Sequence, residues 1–305
     1  NKYYRREFNF NEANYPNALK LGLYALMIMD KLSEIFSLSG KVIVITGATG
    51  LLGRKHAEIV ACYGGTPVLL DLSQRKINEF ANDLNNKYQV AAVGFAIDIT
   101  NERMVKENAK QLISRFGKID GLVNNAANNP KVESGKGSNF SRLENFPIDS
   151  WHDDISVGLT GAFLCAKHYG FFISQNADGG SIVNISSDLG LIAPDQRLYA
   201  KDGVNNDQQD VKPVTYSVVK AGLIGLTRYL ATYWSDKNVR CNAICPGGVE
   251  NGQPEDFLKE VNSRIPMGRM ANADEYQGAL LWILSSASSY LNGAIIPIDG
   301  GRSVW

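Results

Sequence analysis

Two tyrosine–lysine pairs in this chain of 305 residues stand four residues apart: Tyr216 with Lys220 in TYSVVKAG, and Tyr233 with Lys237 in TYWSDK. That spacing places both side chains on one helix face, a turn apart. A free phenol titrates near ~10 and is a poor base at neutral pH. A neighbouring ammonium favours the phenolate and lowers that value, so such a pair can exchange a proton with an alcohol. Ser187, beside Ser186 at the end of the apolar run IVNISS, can hydrogen-bond an oxygen on which charge develops. A bond from that hydroxyl to backbone is the alternative.

The elements that would carry these side chains alternate regularly. Short apolar runs occur at 41–47 (KVIVITG), 66–71, 90–98, 119–127, 180–187, 239–248 and 294–301. Helical periodicity fills 54–64, 73–87, 101–116, 149–174 and 215–235 between them. Strands apolar on both faces, each followed by a helix, predict a doubly wound α/β domain of Rossmann type, with a parallel seven-stranded sheet. The pattern covers 38–305 as a single domain. Residues 1–37 form an extension whose Leu19, Leu23, Leu26, Met27 and Ile35 predict an amphipathic helix. It would dock on this subunit or a neighbour; lying on a membrane surface is the alternative. Two polar stretches, 128–146 and 195–213, interrupt the rhythm without starting a new domain and are read as functional or mobile loops.

ITGATGLLGRKHA at 45–57 follows the first strand and opens a helix. Gly47, Gly50 and Gly53 permit a tight turn and close approach of backbone to a pyrophosphate, which the helix N-terminus would hold. Asp71 ends the second strand, where a carboxylate accepts from both adenosine ribose hydroxyls and repels a 2′-phosphate. NAD is the expected cofactor and NADP the less favoured one, although Arg75 and Lys76 follow a turn later. Asp71 could instead cap the next helix.

The 31 basic and 31 acidic residues balance, which gives no electrostatic case for nucleic acid or an anionic membrane as partner. The apolar run at 21–30 is too short to span a bilayer. Cys62, Cys165, Cys241 and Cys245 match no zinc spacing and read as buried reduced thiols, so no metal is expected and the cytoplasm is the expected location.

Taken together, these residues resemble the short-chain dehydrogenase/reductase family. TGATGLLG is similar to its cofactor turn, DIT at 98–100 to its adenine contact, and NNAA at 124–127 to its NNAG motif. IVNISS resembles the catalytic serine strand, YSVVKAG the YxxxK helix, PGGV at 246–249 the nicotinamide loop, and IDGG at 298–301 the closing strand. The resemblance implies Ser187, Tyr216 and Lys220 as the catalytic set, Lys220 also holding the nicotinamide ribose. It implies cofactor contacts at Gly47, Thr49, Gly50, Leu51, Leu52, Asp71, Leu72, Asp98, Ile99, Asn125, Ala126, Pro246, Gly247 and Val249. The family places its tyrosine about a dozen residues after the serine, where Tyr199 stands, but Gly203 rather than lysine follows four residues on. The 195–213 segment therefore reads as an insertion that displaces the active tyrosine to Tyr216. Family members are commonly dimeric or tetrameric, so a homodimer or homotetramer is expected.

Two departures stand out. Gly158 replaces the asparagine that, in the family, holds a water linking the lysine to solvent, and the expectation is a relay rebuilt through another donor or a carbonyl-bound water. The glycine turn follows TGxxGxxG, with Leu51 where a short-branch member has its middle glycine. The polar 195–213 insertion would rim the cleft and suit a sugar-like substrate, or else meet a neighbouring subunit; 250–270 would form a substrate lid. The expected activity is NAD-dependent interconversion of a secondary alcohol and a ketone. The rivals are a 3-oxoacyl-carrier-protein reductase and a non-catalytic NAD-binding sensor.

Overall fold

A computed structural model describes residues 30–128, 140–200 and 203–305. Seven parallel strands form one sheet: β1 (Val42–Thr46), β2 (Thr66–Asp71), β3 (Val93–Ala96), β4 (Gly121–Asn124), β5 (Gly180–Ile185), β6 (Val239–Pro246) and β7 (Ile295–Ile298). Their spatial order is β3-β2-β1-β4-β5-β6-β7. The direction of strand progression reverses between β1 and β4, and the crevice outside their carboxyl ends is where an open α/β sheet holds ligand.

Seven longer helices accompany the sheet: α1 (Leu51–Cys62), α2 (Gln74–Tyr88), α3 (Glu102–Phe116), α4, α5 (Val214–Tyr233), α6 (Glu255–Asn262) and α7 (Gln277–Leu284). The fourth, α4, begins at Ile148–Ile155 and runs through two π-helical turns, Ser156–Thr160 and Ala166–Gly170, to Phe171–Ile173. Strand alternation divides the core. Ile43 and Ile45 pack with Ala57, Val60, Ile77, Phe80 and Leu280 of α1, α2 and α7, while Val42 and Val44 face Val105, Leu112, Cys165, Tyr169 and Leu230 of α3, α4 and α5. Each such fully buried aliphatic or aromatic side chain contributes about 1.5–3 kcal/mol.

The third strand is shorter than the apolar run at 90–98. The Asn85 side chain takes both backbone groups of Ala92, so pairing with β2 begins only at Val93. The described part of the 195–213 segment is not structureless: it holds 3-10 turns at Gln196–Tyr199 and Asn206–Gln208. Leu198 and Tyr199 pack with Phe257, Val261, Ile265 and Met270 into a separate apolar cluster, and Arg264 Nε donates to Asp195 at 2.8 Å. Insertion and α6 thus form one cap over the carboxyl end of the sheet.

Residues 1–29, with most of the expected amphipathic helix, lie outside the described residues. Residues 30–36 are helical, and Phe36 packs against the core. One cysteine departs from expectation: Cys62 is exposed at the end of α1, whereas Cys165, Cys241 and Cys245 are buried, and none is paired. Among the described residues, no helix is long and apolar enough to cross a membrane.

Candidate active site

The turn after β1 is built for backbone approach. Gly47 adopts φ +62°, and a Cβ there would lie 2.9 Å from the Ala126 Cα. A Cβ on Gly53 would run into the Gly47 carbonyl, and one on Gly50 would lie 3.3 Å from the same oxygen. Gly50 caps α1 without a side-chain bond, and no acidic residue sits in the first turn, so those N–H groups remain available to an anion. Leu51 is exposed, and Leu52 packs into the core.

Three neighbours hold this turn in place. Asn125 Nδ2 donates to the carbonyls of Thr46 and Gly47 at 3.0 and 3.1 Å, while the backbone N–H groups of Asn125 and Ala126 donate to Thr46 Oγ1. Asp71 Oδ2 accepts from Thr49 N and Oγ1 at 2.9 and 2.7 Å, and its Oδ1 accepts from Leu72 N. Ser73, not Asp71, stands at the N-cap of α2. Arg75 is paired with Glu79 at 2.9 Å. Asp98 Oδ1 closes a local turn onto Thr100; the Ile99 side chain belongs to the core, which leaves only its backbone facing outward. The β6 exit is equally fixed: Pro246 ends the strand, Gly247 N donates to the Ile298 carbonyl, and Val249 pairs with Ala271. A Cβ on Gly247 would lie 2.8 Å from the Asp299 Cα. The glycine cradle, the uncapped helix and the strand-end carboxylate together fit a nicotinamide dinucleotide.

β5 and α5 bring Ser187, Tyr216 and Lys220 together. Tyr216 is hydrogen-bonded with Ser187, and the buried Lys220 donates from Nζ to the Ile185 carbonyl at 2.9 Å. Ser186 is committed elsewhere, donating to the Lys220 carbonyl at 2.7 Å. Tyr233 is exposed and stacks on Tyr229, while Lys237 pairs with Asp236. Tyr199 tilts against Phe257 of the cap.

The titration of Tyr216 departs from the simple expectation. Burial pushes its phenol above the ordinary value, and the bond with Ser187 only partly pulls it back. Burial likewise lowers Lys220 to about 8, with the charge of Lys212 adding to the effect. Lys220 therefore enters the site with its own charge destabilised.

Several groups here escaped the sequence reading. Ser187 Oγ donates to Asp188 Oδ1 at 2.7 Å, and buried Asp188 pairs with Arg302 at 2.9 Å. Asp154 of α4 accepts from Thr215 Oγ1 at 2.5 Å. Lys212, the last cation before α5, places Nζ 3.9 Å from the Tyr216 ring centroid. A cavity of about 20 Å³ is lined by Lys212, Tyr216, Lys220, Asp154, Gly158 and Val219, among others, which is room for one water. A Cβ on Gly158 would lie 2.5 Å from Val219 Cγ1. Glycine here admits the α5 side chain, and the cavity it borders reaches Lys220 directly.

Comparison with known proteins agrees with this geometry. A family model described as Enoyl-(Acyl carrier protein) reductase matches residues 47–303. The chain is 33% identical to an NADP-dependent mannitol dehydrogenase of Alternaria alternata, over 90% of this chain and 96% of that one. It is 31% identical to a 3-oxoacyl-acyl-carrier-protein reductase of Aquifex aeolicus, over 87% and 98%. A gluconate 5-dehydrogenase of Burkholderia cenocepacia, solved with NADP and tartrate, superposes with a TM-score of 0.78 at 25% identity, over 90% and 99%. The fold, the cradle and these relatives place the chain in the short-chain dehydrogenase/reductase family, whose members are oxidoreductases that bind nicotinamide cofactors.

Proposed function

We propose that residues 38–305 form an NAD-dependent dehydrogenase that interconverts a secondary alcohol and a ketone on a polar, polyol-like substrate. The observation that carries this reading is the convergence of Ser187, Tyr216 and Lys220 at the carboxyl edge of the same sheet that carries the glycine cradle and Asp71. When bound, the nicotinamide supplies the hydride acceptor. Tyr216 removes the hydroxyl proton through its phenolate oxygen, and the Ser187 hydroxyl orients the substrate oxygen against it. The water-sized cavity at Lys220 gives that proton a way out past Asp154.

Several observations support NAD. Asp71 ends β2 and is held against the glycine turn by Thr49, and Arg75, the first basic residue after β2, is paired with Glu79. The NADP-dependent relatives make this the finer point to test. The polar side chains that the 195–213 insertion carries beside its apolar anchors suit a hydroxylated substrate, in line with the mannitol and gluconate dehydrogenases to which the chain is similar. Stacked, exposed Tyr229 and Tyr233 on α5, with exposed Phe163 and Phe171 on α4, support a homodimer or homotetramer. Sedimentation as a monomer at micromolar concentration would count against it.

The reading is tested by following reduced cofactor during incubation of the purified chain with NAD or NADP and a panel that includes mannitol, gluconate and simple secondary alcohols. Turnover with NAD on polyols supports it. A preference for NADPH and a 3-oxoacyl thioester would favour the carrier-protein reductase. Tight NADH binding without turnover on any substrate would favour a sensor.

A further inference from the structure

We propose that Lys212 acts through Tyr216 as a second supporting cation, so that the phenolate is flanked by two ammonium groups rather than one. The inference rests on the reading of Tyr216 as the base. Its geometry is direct: Lys212 Nζ lies 3.9 Å from the Tyr216 ring centroid, whereas Lys220 Nζ lies 5.7 Å away and spends one hydrogen on the Ile185 carbonyl. A cation over the face of a phenol is attracted by the neutral ring, and far more by the anion.

The position of Lys212 is set rather than incidental. Its backbone N–H donates to Gln196 Oε1 at 2.8 Å, and Pro213 follows at the start of α5. The next residue upstream, Val211, donates its N–H to Ser141 Oγ at 3.0 Å. Among the described residues no carboxylate lies within ion-pair distance of its ammonium, although it is half-buried. Burial lowers Lys212 to about 8, so its charge, like that of Lys220, is costly until an anion appears beside it. The phenolate of Tyr216 is that anion, and each charge then stabilises the other.

The other ionisable groups that face Tyr216 do not do this work. Asp188 and Arg302 neutralise each other at 2.9 Å. Tyr199 of the insertion is raised to about 12, and Tyr276, before α7, is raised by burial too, so both stay neutral. Asp154 lies across the cavity, bonded by Thr215. Cys245, near Lys220, is raised to about 11 and also remains neutral.

The test needs no substrate. The ultraviolet phenolate titration of the full chain, with and without NAD, is recorded for the parent and for Tyr216→Phe; their difference isolates Tyr216. The same subtraction is made in Lys212→Met and Lys212→Arg backgrounds. The Tyr216 midpoint should rise by about one pH unit in Lys212→Met and return towards the parent value in Lys212→Arg. A Lys212→Met chain that failed to fold would be replaced by Lys212→Gln. An unmoved midpoint, or one equally raised by arginine, would overturn the proposal and leave Lys212 as a substrate contact or a packing residue. That outcome spares Tyr216 itself, which is judged separately by whether Tyr216→Phe still turns over.

Discussion

Thr49 surrenders both its backbone N–H and its hydroxyl to one oxygen of Asp71, at 2.9 and 2.7 Å. The carboxylate that would select the adenosine ribose is thereby also the clamp on the pyrophosphate turn. Asp71→Ser should lower the ratio of NAD to NADP efficiency by about tenfold, since a hydrogen bond to a charged group contributes about 1.5–3 kcal/mol. It should also weaken both cofactors through the loosened turn. Paired measurements of kcat/KM with each cofactor check this; an unchanged ratio would show that Asp71 serves the turn alone.

Gly158→Asn tests whether the glycine answers to packing. A Cβ at this position meets Val219 Cγ1 at 2.5 Å, so the substitution should destabilise the fold by about 1–3 kcal/mol. Val219→Ala should recover part of that loss, read as a coupling in a double-mutant cycle of denaturant melts. Additive losses would contradict the contact.

Arg302→Met leaves Asp188 buried without its guanidinium partner. Breaking such a pair costs about 3–5 kcal/mol, and the Ser187 hydroxyl, which donates to Asp188, should lose its orientation. Thermal unfolding and kcat should both fall. Adding Asp188→Asn should restore much of the stability. If it does not, the pair is not the source of the effect.

The pH dependence of stability has one clear contributor in His56. Burial holds this ring neutral, with its folded-state value lowered from 6.5 to about 4. The unfolded chain therefore binds the proton first. Stability is full above about 6.5 and is lost as pH falls towards 4, by about 3 kcal/mol at most. His56→Leu should flatten that acid limb in melts taken across this range, whereas a limb of unchanged depth would place the loss elsewhere.

What the sequence made legible was what is local. β-strand runs, the glycine turn and the four-residue Tyr216–Lys220 spacing are each written within one or two elements, and the lysine together with the surrounding helical pattern separated Tyr216 from Tyr199. What it hid was long-range: Asp188 and Arg302 are 114 residues apart in the chain, and Asp154 and Thr215 are 61 apart. Lys212 looked like one more charge in a polar insertion because nothing local says that its stem turns back over a helix ring. The insertion itself read as structureless, since its apolar anchors, Leu198 and Tyr199, are few and their partners lie on α6. Edge strand β3 was overextended because the side chain of Asn85, not a strand, occupies Ala92. Cys62 was misplaced because an apolar flank at the last turn of α1 does not say which way that turn faces.

Tyr216 as the proton-transferring group is tested most directly by turnover of Tyr216→Phe beside NADH binding to the same variant. A loss of about 10²–10⁴-fold in kcat/KM is expected on whichever polyol or secondary alcohol the parent oxidises, with NADH affinity and melting temperature close to the parent's. A Tyr216→Phe chain that still oxidised that alcohol at the parental rate would contradict it.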